Sequence, residues 1–163
     1  MAAATADAEM SGKLEAEVEL HCSPEKIYEV FRKSGHELPG HAPTHVQGVQ
    51  VHEGEWDAHG TVKFWIYTCE GKLEVFKERV EHDDAKKIVK LNGLEGDVMK
   101  LYKVYNIIYE CVAGSNGDGK KQGTAKLTIE YEKREPSVPP PTKYMNLITL
   151  LVKEADANLA KTA

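Results

Sequence analysis

The sequence predicts an α+β domain in which one curved antiparallel sheet of seven strands wraps a single long helix at the carboxy terminus, with two short helices after the first strand. Three observations carry this. Thr142 to Lys161 repeats apolar residues at helical spacing: Tyr144, Ile148, Leu151, Ala155 and Leu159, widened by Leu147 and Val152, with Lys153, Glu154, Asp156 and Asn158 on the other side. Nearly everything upstream alternates with the two-residue period of strands. Pro136-Ser-Val-Pro-Pro-Pro141 separates the two regimes, and no helix runs through it. An amphipathic helix must bury its stripe, and the concave face of the sheet is the available partner. A helix laid across a wrapped sheet tends to leave a hollow, and a hollow is a ligand site.

Taken in order, Lys13 to Cys22 is a strand with Leu14, Ala16, Val18, Leu20 and Cys22 on one face and charged residues or His21 on the other. Ser23-Pro24 then starts a short helix, Ser as cap and Pro at the first helical position, whose buried face is Ile27, Tyr28, Val30 and Phe31. Ser34-Gly35 ends it, and Pro39, Gly40 and Pro43 limit the next segment to one further helical turn. Strands are predicted at Thr44 to Gly54, Thr61 to Cys69, Lys72 to Glu81, Lys87 to Leu94, Val98 to Val112 and Thr124 to Lys133. Short turns join them, so these six form a meander.

With 163 residues the chain suits one domain, expected over 12–163 behind a disordered extension over 1–11. Lys and Arg number 21 against 26 Asp and Glu, a net charge of −5 with both signs interleaved, which disfavours binding to nucleic acid phosphates. Cys22, Cys69 and Cys111 are an odd, widely spaced set in apolar runs and read as reduced core residues. Met1 to Gly12 has neither a basic region nor an apolar segment of signal length, and no stretch reaches the roughly 18 apolar residues of a membrane span. A cytoplasmic location without a membrane span is expected.

Several chemical motifs fail on context. Gly114-Ser-Asn-Gly-Asp-Gly-Lys-Lys121 approaches a phosphate-binding loop, but Lys121 stands where Ser or Thr is required and a strand comes next instead of a helix; a hairpin tip accounts for it. His41 and His45 have the spacing of helical metal ligands, yet Pro43 breaks that helix, so no metal site is expected. More informative are Lys63, Trp65 and Tyr67 on one strand, Tyr105, Ile107 and Tyr109 on another, and Gly93 where a side chain would pack. Faced inward, they line the sheet with phenols, an indole and an amine, the mixture found in ligand pockets. Ordinary amphipathic core residues with polar tips at the rim would read the same way.

His52-Glu-Gly-Glu-Trp56, Gly60-Thr-Val-Lys-Phe-Trp65, Lys77-Glu-Arg79, Glu95-Gly-Asp-Val-Met-Lys100 and Ile129-Glu-Tyr-Glu-Lys133, in that order, resemble the plant major latex protein family, related to the birch-pollen allergens and pathogenesis-related proteins. The resemblance spans roughly Gly12 to Leu159. It implies the helix-grip fold with an internal cavity whose walls fall on Phe31, Lys63, Trp65, Tyr67, Glu78, Leu91, Tyr105, Ile107, Leu147, Ile148 and Leu151. Gly54-Glu-Trp-Asp-Ala-His-Gly60 replaces the glycine-rich loop of the birch-allergen branch with two glycines and a bulky Trp56, which argues against a phosphate-cradling loop.

The implied function is an intracellular carrier for small hydrophobic or amphipathic plant metabolites (sterol, hormone, flavonoid or xenobiotic), tied to defence or stress response. It would need no cofactor and act mainly as a monomer, with a dimer as the alternative. Relatives that isomerise, eliminate or cyclise without cofactors imply an enzyme as second reading, with Glu78, Lys63 and Tyr105 as acid or base. A module whose surface changes when the cavity fills is a third.

Overall fold

The computed structural model describes residues 10–32, 38–55, 58–114 and 123–161. Its strands are β1 (Ser11–Leu20), β2 (Val46–Glu53), β3 (Val62–Cys69), β4 (Lys72–Asp83), β5 (Ile88–Gly96), β6 (Tyr102–Ala113) and β7 (Gly123–Lys133). Its helices are α1 (Pro24–Arg32), α2 (Leu38–His41) and α3 (Thr142–Lys161). The strands form one antiparallel sheet in the order β1-β7-β6-β5-β4-β3-β2. The meander therefore runs from β2 to β7, and β1 joins beside β7 as its far edge.

Local chemistry sets the joints. Glu70 and Gly71, with φ of 52° and 80°, make a two-residue turn of the left-handed kind that matches strand twist, and Cys69 pairs with Lys72 across it. Gly93 admits no side chain, because a Cβ there would lie 2.6 Å from the Tyr105 carbonyl oxygen and 2.8 Å from the Met99 sulfur. That close approach is how β5 beds against β6 and the turn before it.

Several strand ends differ from the sequence reading, most by one or two residues, and two differences have an evident cause. Val98–Lys100 is a 3-10 turn, so β6 begins at Tyr102. Asp97 holds that turn in place: its carboxylate accepts the Val75 N–H at 2.8 Å, its own N–H donates to the Val75 carbonyl at 3.1 Å, and its carbonyl accepts from Lys100 at 3.1 Å. The first strand runs two residues earlier than Lys13 to Cys22 because its register is set by β7, from Ser11 opposite Glu132 to Leu20 opposite Gly123. The described pairing with β7 ends at Leu20.

The N–H groups of His21 and Cys22 turn instead to α3, donating to the Asp156 carboxylate at 2.9 and 3.0 Å, and His21 Nδ1 lies 3.0 Å from its other oxygen. Asp156 is thus buried, and its expected place on the wet side of the helix is corrected: two backbone donors at a strand end need an acceptor, and a carboxylate on the inner face satisfies both. Around it Val18, Leu20, Leu127, Ile129, Val152 and Ala155 form the packed end of the core, all nearly inaccessible to solvent. Burial of each large aliphatic side chain there contributes about 1.5–3 kcal/mol.

The short helices pack at this same end of α3, where α1 follows Cys22 and His41 of α2 meets Asn158. In α1, Tyr28 Oη donates to Asp84 at 2.5 Å and Arg32 Nε at 2.7 Å, tying the helix to the β4–β5 turn, while Phe31 stacks on Tyr109 with ring centroids 4.2 Å apart. The proline leader is fixed by Tyr102 Oη, which donates to the Pro139 carbonyl at 2.5 Å. The three cysteines are buried and free, and burial pushes the Cys69 thiol up to about 11. Residues 1–9 of the expected extension, and residues 115–122 of the expected hairpin tip, lie outside the described residues.

Asp156 yields the first prediction. Burial alone raises its pKa, but the N–H groups of Cys22 and His21 more than reverse this and hold the carboxyl below the usual range. A lowered folded pKa contributes stability present above the unfolded value, about 3.9, and lost as pH falls through the folded one. Asp156→Ala is expected to cost about 2–3 kcal/mol near neutral pH. In denaturant titrations at pH 7 and at pH 2.5, that deficit should shrink on acidification.

Candidate functional site

Between the concave face and α3 lies a cavity in which the centre of a water molecule has about 70 Å³ to move. One water needs only about 10–15 Å³ of such space, so the cavity takes several waters or a small organic group. The strands supply Val46 from β2, Trp65 and Tyr67 from β3, Phe76 and Glu78 from β4, Leu91 from β5, and Tyr105, Ile107 and Tyr109 from β6. The helices supply Phe31, Leu38, and the α3 residues Tyr144, Leu147, Ile148 and Leu151.

Of the residues expected on this wall, Phe31, Trp65, Tyr67, Glu78, Leu91, Tyr105, Ile107, Leu147, Ile148 and Leu151 stand on it. Lys63 is not among the lining residues: it is buried on the same face of β3, directly opposite Glu78 in the β3–β4 pairing, where its charge favours the ionised carboxylate. Leu38, Val46, Phe76 and Tyr144 were not among the expected wall residues, while Tyr109, grouped with Tyr105 and Ile107 as inward-facing, was not in the expected cavity set. Tyr144 was within reach, since it opens the stripe of α3.

Besides the phenols of Tyr105 and Tyr109, the wall has two polar places built around carboxylates. At the first, Glu74 of β4, only 3% exposed, accepts hydrogen bonds from Tyr67 Oη and Tyr144 Oη, both at 2.8 Å to Oε1, with Tyr144 also 3.1 Å from Oε2. The carboxylate stays behind the phenols and off the wall. Burial, together with Glu74, drives the pKa of both phenols far above the ordinary tyrosine value, so each remains a donor to Glu74 throughout the accessible pH range. Sequence reasoning missed Glu74, although the alternation Glu74, Phe76, Glu78, Val80 puts two carboxylates on the apolar face of β4.

At the second place Glu78 is 1% exposed. Its Oε2 and the Trp65 Nε1 are both buried without a hydrogen bond of ordinary geometry among the described residues. Burial pushes the Glu78 carboxyl up to about 7, while the nearby Trp65 indole and Lys63 ammonium favour the ionised form and limit the rise. The site thus holds an acid poised near neutrality in an aromatic chamber.

Among the described residues no group of three or more His, Cys, Asp or Glu stands close enough to hold a metal ion. His41 ends α2 and lies 3.3 Å from Asn158 of α3, which makes it a packing residue at the helix rim. In the loop from Gly54 to Gly60, Trp56 and Asp57 fall outside the described residues, and His36 does also.

A curved seven-stranded sheet gripping one long helix over an internal chamber is the helix-grip architecture. The model of the pathogenesis-related protein Bet v 1 family matches residues 9–162. The MLP-like protein 328 of Arabidopsis thaliana is 42% identical over 151 residues, 93% of this chain and 97% of that protein. The crystal structure of major latex-like protein 151 from Panax ginseng superposes with a TM-score of 0.84 at 25% identity, covering 91% of this chain and 97% of that one. A START superfamily protein from Mycobacterium smegmatis, at 15% identity and a TM-score of 0.71, shares the fold. The chain therefore belongs to the Bet v 1 family, in its major latex protein branch. No helix among the described residues is long and apolar enough to cross a membrane.

The second prediction concerns Glu78. A raised folded pKa contributes stability that is fully present below the unfolded value, about 4.3, and lost as pH rises through about 7. Wild-type melting temperature should fall between pH 5 and pH 8 by several degrees, at about 2–4 °C per kcal/mol, and the fall should be clearly smaller in Glu78→Gln. Equal slopes in the two proteins would mean Glu78 titrates as an ordinary carboxylate.

Proposed function

We propose that this protein is an intracellular binding protein for small hydrophobic or amphipathic plant metabolites, of the sterol, hormone, flavonoid or xenobiotic class, held in the cavity between α3 and the sheet. The observation that carries the reading is the cavity itself: a chamber between helix and sheet, walled mainly by aromatic and aliphatic side chains, with few polar groups, namely four tyrosine phenols, the Trp65 indole and the Glu78 carboxyl. Apolar walls with a few placed polar groups suit a ligand with an apolar body and one or two functional groups. Trp65 Nε1 and Glu78 Oε2, buried without a hydrogen bond of ordinary geometry among the described residues, support it further, because such atoms are costly unless something satisfies them fully.

Size orders the ligand classes. The cavity takes a small ring system as it stands; a sterol-sized body requires α3 or the wall aromatics to give way. The protein works in this reading without cofactor, mainly as a monomer in the cytoplasm, and its role in the plant is in defence or stress response.

One observation favours a second reading, that of an enzyme acting without cofactor. Glu78 is a buried acid with a pKa near neutrality in the wall of the chamber, as proton transfer at carbon requires. Turnover of a bound metabolite, abolished in Glu78→Gln with binding retained, would select it over the carrier.

The third prediction tests the cavity. Enlarging a residue in a close-packed core costs about 1–3 kcal/mol. Ile148→Trp puts the added ring into the hollow, so it should cost less than Leu20→Trp, whose site is wholly inaccessible and packed. It should also weaken a fluorescent apolar probe by at least about tenfold, or 1.4 kcal/mol. Probe binding unchanged in Ile148→Trp would send the ligand elsewhere.

A further inference from the structure

The carboxylate of Glu74 fixes the direction of two hydrogen bonds, and through them the polarity of the cavity wall. A phenol has one hydrogen to donate and lone pairs with which to accept. Tyr67 Oη and Tyr144 Oη, from β3 and α3, both spend that hydrogen on Glu74, which is buried behind them and takes no part in the wall. Both phenols line the cavity. What they offer to anything inside is therefore the remaining lone pairs.

We propose that Tyr67, Tyr144 and Glu74 form a hydrogen-bond-accepting subsite that selects ligands carrying a hydroxyl or N–H group over ligands of the same shape whose polar group only accepts. This rests on the carrier reading and names the ligand chemistry within it. A donor head there meets two acceptors held side by side on one carboxylate oxygen, one from the sheet and one from the helix. An ether or ketone there sets lone pair against lone pair and leaves its own oxygen desolvated without a donor. At the other polar place the pattern is different, since Trp65 Nε1 is a donor beside the acceptor Glu78 Oε2. A ligand with a hydroxyl at one end and a carbonyl or ring oxygen at the other satisfies both places at once.

The test uses 2-naphthol and 2-methoxynaphthalene, which share a ring system and differ in the donor. Calorimetric titration of the full chain should give 2-naphthol at least about fivefold tighter, the worth of roughly one hydrogen bond. In the apolar triple variant Tyr67→Phe, Glu74→Leu, Tyr144→Phe, which removes donors and acceptor together, the ratio should fall toward one. A preference that survives in the triple variant would place the ligand's donor on another acceptor of the wall, Glu78, Tyr105 or Tyr109, and overturn the proposal. Should the triple variant fail to fold, wild-type protein labelled with 13C at the tyrosine ζ carbons decides: 2-naphthol should shift the Tyr67 and Tyr144 signals, and 2-methoxynaphthalene should shift them far less. Equal affinity of the two probes for the wild type overturns the subsite and leaves the carrier standing. Failure of both probes, together with the apolar fluorescent probe, overturns the carrier as well.

Discussion

Two buried carboxylates hold α3 to the sheet, and the cavity exists because they do so near its ends. Tyr144, in the first turn, is tied through Glu74 to β4 and to Tyr67 of β3. Asp156, roughly 18 Å further along at 1.5 Å per residue, takes the free N–H groups at the end of β1. Between these points α3 presents Leu147, Ile148 and Leu151 to the chamber. A helix held only by apolar contacts would gain by settling into the sheet until the hollow closed. Directional bonds at both ends make that collapse cost a buried, unpaired carboxylate, which outweighs the dispersion gained.

The same arrangement explains why polarity inside the chamber is concentrated. The apolar face of β4 carries Glu74 and Glu78 in alternation with Phe76 and Val80, so the central strands of the sheet place acids where aliphatic residues would give a solid core. Glu74 is satisfied by protein phenols and acts structurally and as a source of polarity. Glu78, opposite Lys63 across the strand pair, keeps one oxygen without a partner among the described residues. One acid therefore shapes the wall and the other stands open to a guest.

Much of this was legible in the sequence, for identifiable reasons. The span of α3 comes from the proline leader and the 3.6-residue stripe, and both ends fall where those signals put them. Inward parity on β3 and β6 was readable because aromatic residues recur at every second position. What escaped were features that depend on a partner distant in the chain. Asp156 looks like a solvent-facing residue until the β1–β7 register ends at Leu20 and leaves two backbone donors 134 and 135 residues away in need of an acceptor. The 3-10 turn at Val98–Lys100 depends on Asp97 bonding to Val75. Lys63 has the right parity for the wall and pairs across the strands with Glu78, yet does not line the cavity. Parity gives the face of a strand and leaves the depth of a side chain open.

Native mass spectrometry of the protein taken under gentle conditions from its own tissue tests the central claim most directly. A chamber kept open between helix and sheet should leave the cell occupied, so a one-to-one complex is expected, releasing a small neutral metabolite on collisional activation. Protein that emerges only at its bare polypeptide mass, and stays so after incubation with an extract of the same tissue's metabolites, would contradict the account.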